Sequence, residues 1–253
     1  MKKIIEVKNL SIGYDDRTIL KNVTFSVNEG EILFIMGGSG TGKTTLLKNL
    51  MGLAKPFDGK ILINGNDINM VPTDVKRAIQ RTIGITFQDG ALFGSLSIGE
   101  NISLLLEEYT NMTKKQIREV VLQKLSQVEL EEYVDYYPSE ISGGMRKRAG
   151  LARAMALNPK ILFFDEPSAG LDPITSAGLD RLIYKVGREL NATVVIVSHE
   201  LDSAYSISDR TIILEKRLMG IAEMDKLDTI LKTTKNEWVK RFLERDGLSR
   251  KSI

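Results

Sequence analysis

An α/β fold with a mainly parallel core sheet is what this chain of 253 residues predicts, and three observations carry the prediction. The stretches "EILFIMG" (31 to 37), "ILFFDE" (161 to 166) and "TVVIVSH" (193 to 199) are unbroken apolar runs that end in polar residues. Such runs suit strands buried on both faces of a parallel sheet, with function at their carboxyl ends. Helical stretches such as "GKTTLLKNLMG" and "SAGLDRLIYKVGREL" separate them, which makes a βαβ pattern. The first run leads straight into a glycine-rich turn, "GGSGTGKT" (37 to 44).

Ahead of that core, residues 3 to 8 and 22 to 27 read as strands of an antiparallel N-terminal part. In "NVTFSV" Val23, Phe25 and Val27 fall on one face and Thr24 and Ser26 on the other, the period of a sheet with one wet side. "GYDDRT" (13 to 18) between them is turn chemistry. The middle of the chain is different. From about 92 to 158 the spacing is helical with no convincing strand, so this part reads as an inserted helical subdomain, broken by "YYPSE". The expected division is therefore a core made of 1–91 and 159–220, a helical subdomain at 92–158, and a C-terminal helical extension at 221–253. That last piece is amphipathic, with Trp238, Phe242 and Leu243 at i, i+4 and i+5 among charges. It either packs on its own domain or meets a partner subunit.

The composition is that of an ordinary globular protein, with 42% hydrophobic and 27% charged residues. Lys and Arg number 35 against 33 acidic residues, a net charge of +2, so no general field for nucleic acid is implied. The absence of cysteine excludes disulfides and thiolate metal sites and fits a reducing compartment. "MKKIIEVKNL" has no apolar segment behind its lysines, so it is no secretory signal. No apolar run approaches the roughly 20 residues of a membrane helix. A cytoplasmic protein is expected.

"GGSGTGKT" fits G-x-x-x-x-G-K-[ST] in the right context, a buried strand ahead and a helix behind. Its glycines let backbone amides approach phosphate oxygens, and the helix N-terminus adds partial positive charge. The expected nucleotide-binding segment is Gly37, Gly38, Ser39, Gly40, Thr41, Gly42, Lys43, Thr44 and Thr45. Lys43 is placed to reach the β- and γ-phosphates, and the Thr44 hydroxyl to bind Mg²⁺. In "ILFFDE", Asp165 ends a strand where it can hold Mg²⁺, and Glu166 beside it can orient and polarise an attacking water. Nucleoside triphosphate hydrolysis is the expected chemistry. A second stretch, "ISGGMRKRAGLARA" (141 to 154), also looks like a phosphate loop, with Ser142, Gly143 and Gly144 able to lend amides to an anion.

Why two such loops exist is answered by a resemblance that covers nearly the whole chain. "ISGGM" followed by "ILFFDEP", "SAGLD" and "VSHE" resembles the nucleotide-binding domain of ABC transporters. The resemblance implies a P-loop NTPase of the ABC type, with ATP and Mg²⁺ as cofactors. It implies that the Ser-Gly-Gly motif caps the γ-phosphate of ATP held by a second subunit, so that the active unit is a head-to-tail dimer with shared sites. Gln88 in "TFQDG" matches the glutamine that links γ-phosphate and Mg²⁺ to the membrane subunit. Asp172 in "SAGLD" matches the loop that communicates across the dimer, and His199, the only histidine, matches the switch histidine that senses the γ-phosphate. Tyr14 fits the aromatic that stacks on adenine; its plain alternative is a strand-edge aromatic. Lys43, Thr44, Gln88, Asp165, Glu166 and His199 are then expected to act in cis, and Ser142 and Gly144 in trans.

The family's signature usually runs Leu-Ser-Gly-Gly-Gln, whereas this chain has Ile141 and Met145 at its ends. Met145 lacks the amide that could hydrogen-bond near the ribose. "SGGMRKRAGLARA", with "FQDGALFGSLSIGENI" and "FFDEPSAGLDP", looks like the ATPase of MCE-type lipid transporters, the Mla group. That resemblance implies integral membrane permease subunits, an MCE-domain lipid-binding protein, and a place on the cytoplasmic face of the inner membrane. The competing expectations are an ABC importer or exporter for another cargo such as amino acids or a drug, and a soluble ABC ATPase acting on DNA or ribosomes. A P-loop kinase gives no reason for "SGG", "SAGLD" and His199 together.

Overall fold

The computed structural model describes residues 2–88 and 90–247. In chain order the elements are strands β1 (Lys3–Tyr14), β2 (Arg17–Asn28) and β3 (Ile32–Gly37), helix α1 (Lys43–Leu50), strands β4 (Asp58–Ile63) and β5 (Asn66–Asp67), helix α2 (Thr73–Gln80) and strand β6 (Ile83–Thr86). Helices α3 (Ile98–Tyr109), α4 (Lys114–Gln127) and α5 (Gly143–Ala154) follow, with short 3-10 turns at Glu131–Tyr133 and Pro138–Glu140. The chain continues through β7 (Ile161–Asp165), α6 (Pro173–Glu189), β8 (Thr193–Val197) and α7 (Leu201–Ile207). It closes with β9 (Arg210–Glu215), β10 (Gly220–Asp225), α8 (Leu227–Thr233) and α9 (Glu237–Gly247). The contacts divide the chain into two compact units. One takes the chain up to Gln80 and from Thr193 onward, the other is Arg81–Ala192.

In the first unit β1 lies between β2 and β4, antiparallel to both. Val23, Phe25 and Val27 are buried and Thr24 is exposed, so alternation along "NVTFSV" sets the wet and dry faces. The hairpin is tighter than the turn expected over 13–18. Gly13 pairs with Thr18 and Tyr14 with Arg17, leaving only Asp15 and Asp16 to turn the chain. Asp15 takes a φ of 49°, a left-handed conformation that Asp tolerates better than most residues.

The same unit holds strands buried along their whole length. Every residue of β3 and of β8 is buried. Ile35 on β3 pairs in parallel with Val197 on one side and with Ile212 of β9 on the other. Glu31, just ahead of β3, is buried but paired: Arg210 meets it through Nε at 2.7 Å and a second nitrogen at 3.1 Å. Such a two-point pairing offsets the cost of burying the carboxylate.

One expectation is corrected in this unit. Residues 221–225, read as the start of a helical extension, belong to strand β10, where Ile221 pairs with Leu214 and Met224 with Ile212. The free edge of β9 overrides the local spacing, as pairing commonly overrides strand propensity. Helices α8 and α9 carry the chain on, and the last part of the extension, 248–253, lies outside the described residues. Val239 and Leu243 are buried, and Trp238 stacks on Phe242 with ring centroids 5.4 Å apart and planes 12° apart.

In the second unit β6 pairs in parallel with β7. Helices α3 and α4 open on capping boxes, Ser97 with Glu100 and Thr113 with Gln116, which satisfy the exposed first-turn amides. This unit joins β6, β7 and α6 to the helices of 92–158, because α5 packs on β6 and on α6.

Candidate active site

The glycine-rich turn begins where the buried ladder of β3 ends. Gly37 sits at a φ of 148°, and a Cβ built there would lie 2.6 Å from the backbone oxygen of Leu214, so only glycine lets β9 approach so closely. The loop is braced internally: the buried Thr41 donates its hydroxyl to the Gly38 carbonyl at 2.9 Å. Lys43 Nζ donates to the carbonyls of Gly37 at 2.9 Å and Gly38 at 3.4 Å, which folds the ammonium over the loop. Helix α1 starts at Lys43 with Gly42 as its N-cap, at a φ of 93° and with no capping side chain. A helix N-terminus with no side chain at its cap suits an anion.

Tyr14 stands at the tip of the β1–β2 hairpin, half exposed, and its hydroxyl accepts a hydrogen bond of 2.8 Å from the buried Thr45 of α1. It borders an open cleft of about 880 Å³ that also takes in Arg17, Ile19, Gly40 and Lys216. An aromatic face, two cations and the loop glycine share that cleft. His199 lies two residues past the end of β8 rather than in the strand, with an exposed side chain and Nε2 3.7 Å from Glu200. The first unit thus holds Tyr14, the whole of 37–45 and His199.

The remaining candidates belong to the second unit. Asp165 ends β7 half-buried after four buried residues. Glu166 follows with a φ of 50°, a left-handed backbone that costs a non-glycine residue roughly 1–2 kcal/mol and that gathers at functional sites. Gln88 is exposed in the turn after β6. Ser142 caps α5, its hydroxyl accepting from the Met145 amide at 3.2 Å. Gly143 and Gly144 occupy the first turn, and a Cβ on Gly144 would come within 2.8 Å of the Thr175 methyl. Asp172 caps α6, accepting from the amides of Ile174 and Thr175 at 3.0 Å. The Thr175 hydroxyl, and then these amides, hold its carboxyl below the usual carboxylate range. The ordinary helix-cap role of Asp172 is thus present in the structure, and through Thr175 it adjoins Gly144 of the serine-glycine loop.

A family model described as "ABC transporter" matches residues 20–169, which runs from the second strand through the glycine-rich turn, the serine-glycine loop and the end of β7. The chain belongs to the ABC transporter family. It is the ATP-binding and ATP-hydrolysing subunit of an ABC transporter, and ATP is its substrate. Among known proteins it is 40% identical over 240 residues to the "Probable ribonucleotide transport ATP-binding protein mkl" of Mycobacterium leprae, covering 94% of this chain and 68% of that protein. It is 41% identical over 213 residues to the "Intermembrane phospholipid transport system ATP-binding protein MlaF" of Haemophilus influenzae, covering 84% of this chain and 81% of that protein. Against mkl of Mycobacterium tuberculosis the chain spans 66% of the relative's length. The ATP-binding cassette MJ0796, solved as a dimer in a post-hydrolysis state with ADP and phosphate, superposes with a TM-score of 0.80 at 33% identity, covering 88% of this chain and 98% of that one. CbiO1 of Clostridium perfringens superposes with a TM-score of 0.84 at 26% identity, covering 99% of this chain and 96% of that one.

Several contacts around the candidate residues of the second unit escape a reading of motifs alone. Lys147 of α5 donates to the carbonyls of Pro167 and Ala169, both at 2.6 Å, and so ties the serine-glycine helix to the segment after Glu166. Gly90 and Gly150 bring the turn after Gln88 against α5, with a Cβ at 150 only 2.7 Å from the Gly90 oxygen. Arg153 donates to the Ala91 carbonyl and lies over the Phe93 ring, 4.9 Å from its centroid. The run "MRKRAGLARA" hints at these ties only through its dense basic residues at helical spacing.

Proposed function

We propose that this ATPase subunit powers phospholipid transport in a membrane complex of the MCE type, serving the lipid asymmetry of an outer membrane. The observation that carries the reading is the shared departure from the usual signature, "SGGMRKRAGLARA" together with "FQDGALFGSLSIGENI" and "FFDEPSAGLDP". The 41% identity to MlaF of Haemophilus influenzae over 81% of that protein supports it. In this proposal two copies sit on the cytoplasmic face of the inner membrane beneath two permease subunits, with an MCE-domain lipid-binding protein as a further partner. Nucleic acid has no part. A second reading keeps the chemistry and changes the cargo: the 40% identity to mkl, named for probable ribonucleotide transport, favours a soluble polar solute. An amino-acid cargo is the third.

The catalytic unit proposed is a head-to-tail dimer, a reading supported by the dimeric state in which MJ0796 was solved. Tyr14 stacks on adenine, the amides of 37–45 and Lys43 hold the phosphates, and His199 senses the γ-phosphate. Ser142, Gly143 and Gly144 serve the nucleotide of the partner, and Asp172 communicates between the two sites. Glu166 polarises the attacking water, accepting its proton. The donors proposed for Mg²⁺, the Thr44 hydroxyl, the Gln88 amide oxygen and the Asp165 carboxylate, are all hard oxygens of the kind this ion takes. When bound, the ion neutralises charge on the phosphates.

The test is a mild-detergent pull-down of the tagged chain from its native membrane, with partners identified by mass spectrometry. A permease with a single-pass MCE protein is expected. A permease with a soluble solute-binding protein overturns the lipid cargo and leaves the site residues as assigned.

A further inference from the structure

Two features of the C-terminal part converge on the first glycines of the phosphate loop. A Cβ built on Gly38 would lie 3.7 Å from Cζ2 of Trp238, ordinary van der Waals contact, so the indole edge lies beside that glycine. Gly37, its neighbour, pairs in register with Leu214 of β9. The residue after Leu214 is the buried Glu215, whose Oε2 accepts a hydrogen bond of 2.8 Å from Asn236 Nδ2. Asn236 in turn caps α9, its Oδ1 accepting from the amides of Trp238 at 2.9 Å and Val239 at 3.2 Å. One amide side chain therefore fixes both where the helix begins and how it is tied to the strand beside the loop. Phe242, one helical turn on, stacks against the indole, and Val239 and Leu243 of the same helix are buried.

A loop this rich in glycine has little intrinsic preference for one shape. Its amides grip phosphate well only if they already converge before the ligand arrives. Thr41 and Lys43 brace the loop from within; α9 braces it from outside. We propose that Trp238 is a positioning residue for the phosphate loop, held there by the Asn236 cap, so that occupancy of the loop by nucleotide is felt at the indole. The proposal rests on the assignment of 37–45 to ATP. It predicts an effect on nucleotide affinity rather than on the chemical step, because Trp238 acts through Gly38 and touches no proposed reacting group.

Trp238 is the chain's only tryptophan, so tryptophan emission reports the surroundings of this one side chain. The full chain is titrated with ATP without Mg²⁺, by calorimetry and by tryptophan emission in parallel. A saturable emission change with the calorimetric midpoint is expected. Trp238→Ala is expected to weaken ATP binding about threefold to tenfold, with kcat within about twofold of the parent, and Trp238→Phe to recover most of the loss. Asn236→Ala leaves the indole in the chain and removes the cap and the Glu215 tie; it is expected to weaken binding in the same direction, and it serves alone if Trp238→Ala does not fold. Calorimetric binding with unchanged emission, or unchanged affinity in the variants, overturns the proposal while the loop assignment stands. No ATP binding by the parent chain overturns both.

Discussion

At the scale of single residues, Lys124 shows what burial does to a charge. Its side chain is buried in the helical unit, where Nζ donates to Asn158 Oδ1 at 2.6 Å, and burial lowers its pKa. A lysine whose folded pKa is depressed binds its proton less well folded than unfolded. Stability therefore rises with pH as it climbs through the depressed value toward the unfolded value of about 10.4. Lys124→Met removes the proton-binding site and leaves Asn158, which is exposed, to water. In urea denaturation at a series of pH values up to about 10, the parent is expected to gain stability relative to Lys124→Met as pH increases. A constant difference between the two chains counts against the assignment.

At the scale of elements, the segment leading into α3 hangs on Asn101. This fully buried side chain donates to the carbonyls of Phe93, Leu96 and Ser97 and accepts from the Phe93 amide at 2.7 Å. Asn101→Ala leaves those groups without their partner and is expected to cost roughly 2–4 kcal/mol in denaturant unfolding. Limited proteolysis is expected to cut first between residues 92 and 97; protection equal to that of the parent would tell against this role. Nothing in "SIGENI" announces the network, since it is built from backbone groups that converge only after folding. The contrast with the phosphate loop is instructive. There the residue types are the geometry, because glycine alone permits the approach of β9 at Gly37, and the motif itself marks where that approach occurs. Strand β6 is only Ile83–Thr86, too short for a periodic signal, and β10 shows mixed burial because it lies at a sheet edge. Such strands are specified by their partners. The ties of Lys147 and Thr175 were illegible for the same reason.

At the scale of the whole molecule, the family membership makes the chain an ATPase, and the proposed pairing makes its quaternary state depend on nucleotide. Glu166→Gln is expected to lower turnover by about 10²–10⁴-fold while leaving ATP bound. With ATP and Mg²⁺ it is expected to elute from a sizing column as a dimer, and with ADP as a monomer. Elution as a monomer in both conditions would falsify the shared-site arrangement. Among the described residues no helix is long and apolar enough to cross a membrane. The left-handed backbone at Glu166 bears on how such a chain can evolve. Asparagine or glycine adopts that conformation at lower cost, so selection for heat resistance alone would drift away from glutamate at this position. If Glu166 has the proposed role, selection for turnover opposes that drift, and lineages released from transport should lose the carboxylate early.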